Sequence, residues 1–131
     1  MYKILIADDD HLIVSMYKKG FENAGFLAVT ANNGEAAIET AKKEKPDIIL
    51  MDLRMPIKDG IDATIALKSE ITTKNIPVIF LTSIEDGQGH NMAAKAIGAE
   101  DFLTKSETTI QEIIAKVNET LARPAHGGDR Q

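Results

Sequence analysis

Short apolar runs, separated by longer stretches with helical spacing, constrain this chain more than any other feature. Ile4 to Ala7, Ile48 to Met51, Val78 to Leu81 and Phe102 to Leu103 are apolar without alternation, the pattern of strands covered on both faces of a parallel sheet. Phe26 to Ala31 reads as a weaker strand between the first two. Leu12, Ile13, Met16, Tyr17, Phe21 and Ala24 share one face of a first helix, with Gly25 as its stop. Asn33-Gly34-Glu35 opens a second helix that buries Ala37, Ile38 and Ala41, and Pro46 closes the connection to the next strand. A third runs from about Ile61 to Ser69.

A fourth helical stretch, near Gln88 to Ile97, would bury Met92, Ala93, Ala96 and Ile97 and stop at Gly98, with Gly87 and Gly89 weakening its start. The last is the best signalled. Thr108 and Gln111 have capping-box spacing, Ile110, Ile113, Ile114, Val117 and Leu121 follow at helical intervals, and the helix should end before Pro124. Strand and helix alternating in this way imply right-handed crossovers and a parallel sheet with helices on both faces. The expected organisation is one domain over 1–122, with 123–131 as a flexible tail or the start of a linker, since PAHGGDRQ is polar and glycine-rich.

Composition removes several classes of chemistry. The absence of cysteine excludes disulfides, thiolate zinc sites and thiol catalysis. His11, His90 and His126 are scattered, with no i, i+4 metal pair. A net charge of −5 over 131 residues argues against direct nucleic-acid binding. No long apolar run suggests a membrane span, and MYKILIADDD lacks the basic and hydrophobic regions of a signal peptide, so the expected location is cytoplasmic.

In open parallel sheets, ligands bind beyond the carboxyl ends of the strands. Those ends carry Asp8-Asp9-Asp10, Asp52, Thr82-Ser83 and Thr104-Lys105. One sheet edge therefore gathers carboxylates, a hydroxyl and an ammonium. Crowded carboxylates repel one another unless a cation lies among them. Mg²⁺ takes one or two carboxylates, keeps several waters and accepts phosphate oxygens. Lys105 supplies a compact charge and Thr82 a donor for a phosphoryl oxygen. Together they suit phosphoryl transfer, which asks mainly for alignment and charge neutralisation. Singly, each has a blander reading: Asp10 as a helix cap, Asp52 as a loop residue, Thr82 as a strand end, Lys105 as a surface lysine and Phe102 as core. Their joint occurrence, in order and at strand ends, favours the functional reading.

Asp8-Asp9, Asp52 in IILMDLRMPIKDG, Thr82-Ser83 in VIFLTS and Lys105 in GAEDFLTKS resemble the signature of the receiver domain of two-component response regulators, over about Lys3 to Leu121. The resemblance implies an α/β, flavodoxin-like, doubly wound five-stranded parallel sheet of order 2-1-3-4-5 with five helices. It implies a phosphoacceptor signalling switch, in which Asp52 takes a phosphoryl group from a sensor histidine kinase or histidine phosphotransfer protein. Mg²⁺, or Mn²⁺ in its place, would be held by Asp9, Asp52 and the Arg54 backbone carbonyl, with Asp8 acting through a water. Lys105 and Thr82 would contact the phosphoryl group, and Phe102 would change rotamer with Thr82. The domain would catalyse its own phosphorylation and dephosphorylation without being a turnover enzyme. Its output would be a downstream protein or a covalently linked effector domain, from a monomer or a phosphorylation-dependent dimer. An output face of the fourth helical stretch, fifth strand and last helix is implied by resemblance alone.

Two departures carry expectations. Ser106 stands where the family commonly has proline, so a trans Lys105–Ser106 bond is expected, because cis costs about 3–4 kcal/mol before a non-proline residue. Arg54 and Ile84 flank the site where they would tune phosphoryl lifetime, and Ile84 offers no group to orient water, so slow self-dephosphorylation is expected. The rival reading is a haloacid-dehalogenase-like phosphatase with Asp8 as nucleophile and Asp10 as acid/base. It leaves Asp52 without a role and lacks an acidic pair after Lys105.

Overall fold

The computed structural model describes residues 1–83 and 95–123. The strands are β1 (Lys3–Ala7), β2 (Leu27–Ala31), β3 (Ile48–Met51), β4 (Val78–Thr82) and β5 (Asp101–Thr104). They form one parallel sheet of order β2-β1-β3-β4-β5, as the resemblance implies. The helices are α1 (His11–Asn23), α2 (Gly34–Glu44), α3 (Gly60–Lys68) and α4 (Ile110–Ala122), with a 3₁₀ turn at Lys105–Glu107. Four α-helices therefore lie among the described residues, where five were expected over the whole chain. The expected helix near Gln88 to Ile97 falls largely outside the described residues, including Met92 and Ala93. Its anticipated stop is seen: Gly98 adopts φ +99° and its N–H donates to the Lys95 carbonyl at 3.0 Å.

Each face of the sheet has its own core. Leu5, Ile49, Met51 and Phe80 pack with α2 and α3 through Ala37, Ala41, Ala63 and Leu67. Ile4, Ile6, Ile48, Leu50, Ile79 and Leu81 pack with α1 and α4 through Tyr17, Phe21, Ile113 and Val117. Successive residues of one strand alternate between the two clusters, as the period of two requires.

Local signals account for most boundaries. The Asp10 carboxylate caps α1 by accepting from the Leu12 and Ile13 amides at 3.0 and 3.3 Å. Gly25, at φ +97°, ends it: the Phe26 N–H donates to Phe21 and the Gly25 N–H to Glu22, and the Phe21 and Phe26 rings meet edge to face at 5.1 Å. The expected apolar face of α1 needs correction, since Leu12, Met16 and Ala24 are exposed while Tyr17 and Phe21 are buried. At about 100° per residue, Ile13 and Val14 lie within about 60° of Tyr17 on the wheel, whereas Met16 lies about 100° from it. The capping box of α4 is also one residue later than expected. Thr109 and Glu112, rather than Thr108 and Gln111, satisfy each other's backbone amides at 3.1 and 2.8 Å, because α4 begins at Ile110.

Candidate functional site

Three charged residues follow apolar ones by two positions: Asp8 after buried Ile6, Asp52 after buried Leu50 and Lys105 after partly buried Leu103. All three apolar partners pack on the α1/α4 side. The alternation therefore sends the three charges to one side of the sheet edge. The Asp8 N–H donates to Ala31 at 3.0 Å and the Asp52 N–H to Ala7 at 2.9 Å, extending the ladder one residue past the strands and fixing both backbones.

The Lys105 ammonium bridges the pair, at 2.7 Å from Asp8 Oδ2 and 3.3 Å from Asp52 Oδ2. Asp8 Oδ1 accepts from the Asp10 amide at 3.0 Å. Asp8 and Asp52 are 4% and 6% exposed, whereas Asp9 is open to solvent. Carboxylate oxygens of Asp8, Asp9 and Asp52 lie within 4.8 Å of one another. Burial, followed by repulsion from Asp8, pushes the Asp52 carboxyl up to about 6 against the pull of Lys105. Burial opposes the charge of Lys105, but the hydrogen bond and charge of Asp8, with those of Asp52, outweigh it and raise its pKa.

Thr82 follows Phe80, so its side chain belongs to the α2/α3 side. Its hydroxyl is buried without a hydrogen-bond partner, yet lies near enough to Asp52 to favour the ionised carboxylate. Thr82 pairs with Thr104 and Phe80 with Phe102, whose rings are 6.1 Å apart. Phe102 is half-buried against the same core. Arg54 is exposed and lines an open groove with Asp9, Met55, Pro56 and Asp59. The Lys105–Ser106 bond is trans, as expected, and Lys105 still reaches both carboxylates from the turn that follows β5. Ile84 lies outside the described residues.

The loop carrying Asp52 is held by contacts that motif reading does not reveal. A Cβ on Gly60 would sit 2.0 Å from the Asp52 carbonyl oxygen, and one on Gly34 would sit 2.1 Å from that of Lys58. The Gly34 amide donates to Lys58 at 2.8 Å, the Gly60 amide to Leu53 at 2.8 Å. Between them Ile57 takes φ +72°, and the Lys58 N–H returns to the Pro56 carbonyl at 2.7 Å, making a γ-turn. The available signal was a glycine at each helix start, where most residues would serve. Tyr17, expected as core, is core, and it lines a small cavity together with Asp8 and Asp52.

The donor set fits a hard cation and a phosphoryl group. Three carboxylates converge, one ammonium lies between the two buried ones, and an unpartnered hydroxyl stands beside the third strand's aspartate. A doubly wound sheet with this edge defines a receiver domain of two-component systems. The family model of the response regulator receiver domain matches residues 4–118, and the chain belongs to that family. The chain is 33% identical over 121 residues to the alkaline phosphatase synthesis transcriptional regulatory protein PhoP of Bacillus subtilis, covering 92% of this chain and 49% of that protein. It is 36% identical over 126 residues to a protein-glutamate methylesterase/protein-glutamine glutaminase of Methanococcoides burtonii, covering 94% of this chain and 35% of that protein. It thus spans half or less of these curated relatives. Among solved structures, a putative response regulator from Chloroflexus aurantiacus superposes with a TM-score of 0.85 at 30% identity, over 93% of this chain and 98% of that one. The receiver domain of Francisella response regulator 1452 gives 0.83 at 32% identity, over 92% and 97%.

Proposed function

We propose that Asp52 is the phosphoacceptor of this receiver domain, taking its phosphoryl group from a phosphohistidine of a sensor histidine kinase or histidine phosphotransfer protein. The observation that carries this reading is the Lys105 ammonium held between Asp8 and Asp52, with Asp9 completing the acidic cluster. An Asp52 carboxylate oxygen attacks phosphorus; the P–O bond forms as the P–N bond breaks, and the imidazole nitrogen leaves with the electron pair. With its pKa near 6, Asp52 is largely ionised above pH 7 and available as nucleophile. Lys105 sits 3.3 Å from Asp52 Oδ2 and would neutralise charge on the transferred group. The unpartnered Thr82 hydroxyl would donate to a phosphoryl oxygen, and Phe102 would adjust to that movement.

Asp9, Asp52 and the Arg54 backbone carbonyl would hold Mg²⁺, or Mn²⁺ in its place, with Asp8 acting through a water. When bound, the ion supplies charge neutralisation between the carboxylates and the phosphoryl oxygens. Arg54 and Ile84 would set phosphoryl lifetime, and self-dephosphorylation would be slow. The switch comprises 1–122, and 123–131 would serve as tail or linker toward a downstream protein or a covalently linked effector domain. It would act as a monomer or a phosphorylation-dependent dimer, turning over no substrate. No described helix is long and apolar enough to cross a membrane, which is compatible with a cytoplasmic location.

The test is incubation with acetyl phosphate and Mg²⁺, followed by mass spectrometry. A phosphoryl adduct on Asp52, lost in Asp52→Asn, is expected. An adduct on Asp8 with rapid release would instead indicate the phosphatase reading, and no adduct at all would overturn acceptor chemistry. A phosphoryl half-life of seconds in Mg²⁺ would refute slow dephosphorylation.

A further inference from the structure

We propose that Gly34, the first residue of α2, is a positioning residue of the acceptor site, clamping the β3–α3 loop so that Asp52 and the Arg54 carbonyl stand where Mg²⁺ requires them. Residues 52–59 join β3 to α3. At the turn of this loop Ile57 takes φ +72°. A β-branched residue keeps such a conformation only where its surroundings over-determine it. The surroundings that do so here are the starts of two helices. The Gly60 N–H of α3 donates to the Leu53 carbonyl, and the Gly34 N–H of α2 donates to the Lys58 carbonyl, both at 2.8 Å.

The first amides of a helix have no partner within it, which leaves that of Gly34 available to the loop. Asn33 meanwhile caps the Ala36 amide at 2.8 Å. Glycine is required at 34 for space rather than for backbone conformation, since the glycines at positive φ are Gly25 and Gly98. A Cβ on Gly34 would overlap the Lys58 carbonyl oxygen and sit 2.7 Å from its carbon and 2.9 Å from the Asp59 carbonyl oxygen. These are backbone atoms, which cannot swing aside as a side chain can. Alanine at 34 must therefore displace the Lys58–Asp59 segment as a whole. The Lys58–Glu35 ion pair spans the same two elements, but at 3.9 Å and open to solvent it fixes little.

Such a displacement reaches the site by a short route. Lys58 and Asp59 lead directly into Gly60, which has no room for a Cβ beside the Asp52 carbonyl and whose N–H holds Leu53. Leu53 is buried, and Arg54 follows it. Closely packed groups transmit a shift rather than absorb it, so moving the turn moves the backbone from Asp52 to Arg54. Mg²⁺ demands near-octahedral geometry at about 2.0–2.1 Å, and a displaced ligand costs it affinity. The inference rests on the reading that Asp9, Asp52 and the Arg54 carbonyl hold the ion.

The test is Gly34→Ala, with MgCl₂ titrated into isotope-labelled protein while amide chemical shifts are followed, and a thermal melt in EDTA alongside. The expected result is a Mg²⁺ dissociation constant raised by about 10- to 100-fold, the usual cost of losing a group that orients a metal ligand. Gly25→Ala is the matched lesion. Gly25 has φ +97° before β2, at the opposite edge of the sheet, with nothing within 4 Å of an added Cβ. It should lower the melting temperature and leave Mg²⁺ affinity unchanged. Wild-type affinity in Gly34→Ala, or an equal loss in Gly25→Ala, would overturn the clamp and leave the metal reading intact. A wild-type protein that binds no Mg²⁺ would instead remove the metal reading, and the clamp with it. Amide hydrogen exchange of the wild type provides the second measurement, because coupling between two sites is reciprocal. Mg²⁺ should slow exchange of the Gly34 amide several-fold and leave that of Gly25 unchanged. A Gly34 amide indifferent to Mg²⁺ would overturn the proposal even if Gly34→Ala did not fold.

Discussion

Replacing Asp52 by Asn should stabilise the metal-free protein at neutral pH, and by an amount that depends on pH in a defined way. Burial and the Asp8 carboxylate raise the Asp52 pKa from 3.8 to about 6 in the folded state. An acid whose folded pKa is raised binds its proton more tightly in the folded protein, so its ionisation weakens the fold. Below about pH 4 both states carry the proton and there is no penalty. Between about pH 4 and 6 the unfolded state ionises first and the penalty grows. Above 6 it is constant. At 1.36 kcal/mol for each tenfold in the ionisation constant, the full penalty is about 3 kcal/mol. Asn removes the charge at nearly constant volume, and Lys105 keeps its shorter ion pair, 2.7 Å to Asp8. The expected gain is therefore about 2–3 kcal/mol at pH 7.5, shrinking toward zero at pH 4. Urea unfolding followed by circular dichroism, with EDTA present, measures both proteins across that range. A variant equal to or less stable than wild type at pH 7.5, or a difference flat from pH 4 to 7, would refute the assignment of Asp52 as a buried, repelled carboxylate. Saturating Mg²⁺ should narrow the gap, because it stabilises only the protein that retains the carboxylate.

Ile57 holds φ +72° with its side chain 81% exposed, so Ile57→Asn should relieve strain at little cost in burial and raise stability by about 1 kcal/mol in urea titrations. Gly60→Ala places a methyl 2.0 Å from the Asp52 carbonyl oxygen and should cost more than about 2 kcal/mol by the same assay, together with most acetyl phosphate labelling. Thr109→Ala removes one half of the α4 capping box and should lower stability by about 1 kcal/mol, without altering labelling of Asp52. Thr82→Val replaces a buried, unpartnered hydroxyl by a methyl and should stabilise the unphosphorylated protein by about 1 kcal/mol, while changes in amide chemical shifts on phosphorylation should no longer extend to Phe102.

The sheet was legible in the sequence because its strands are nearly pure apolar runs, and the site because chemistry sits where each run stops. Asp8, Asp52, Thr82 and Lys105 needed only the topology to bring them to one edge. What escaped depends on distances that no periodicity encodes. Gly34 reads as part of a helix start, yet its need for glycine comes from the Lys58 carbonyl of a distant loop. Leu12 and Met16 read as core because they are apolar and near helical spacing, but the wheel turns them outward from Tyr17. The α4 cap was misplaced by one residue because Thr108–Gln111 and Thr109–Glu112 carry the same spacing, and only the direction of entry into the helix distinguishes them. Tyr17 reads as core and is core.

The alternation that gathers the charges also separates them from Thr82 and Phe102, the residues proposed above as their read-out. Asp8, Asp52 and Lys105 continue the strand faces packed on α1 and α4, whereas Thr82 and Phe102 continue the face packed on α2 and α3. A phosphoryl group on Asp52 would stand over the crevice between these faces, and the Thr82 hydroxyl is the polar atom of the second face left without a partner. A buried hydroxyl in that condition costs roughly 1–3 kcal/mol. Giving it a phosphoryl oxygen would recover that cost only in the phosphorylated state. Such a difference shifts a two-state equilibrium by about 5- to 150-fold. On the proposed reading of Thr82 and Phe102 as the switch pair, the unphosphorylated protein would hold part of the driving force for switching in this hydroxyl, on the side of the sheet where the Phe80 and Phe102 rings pack.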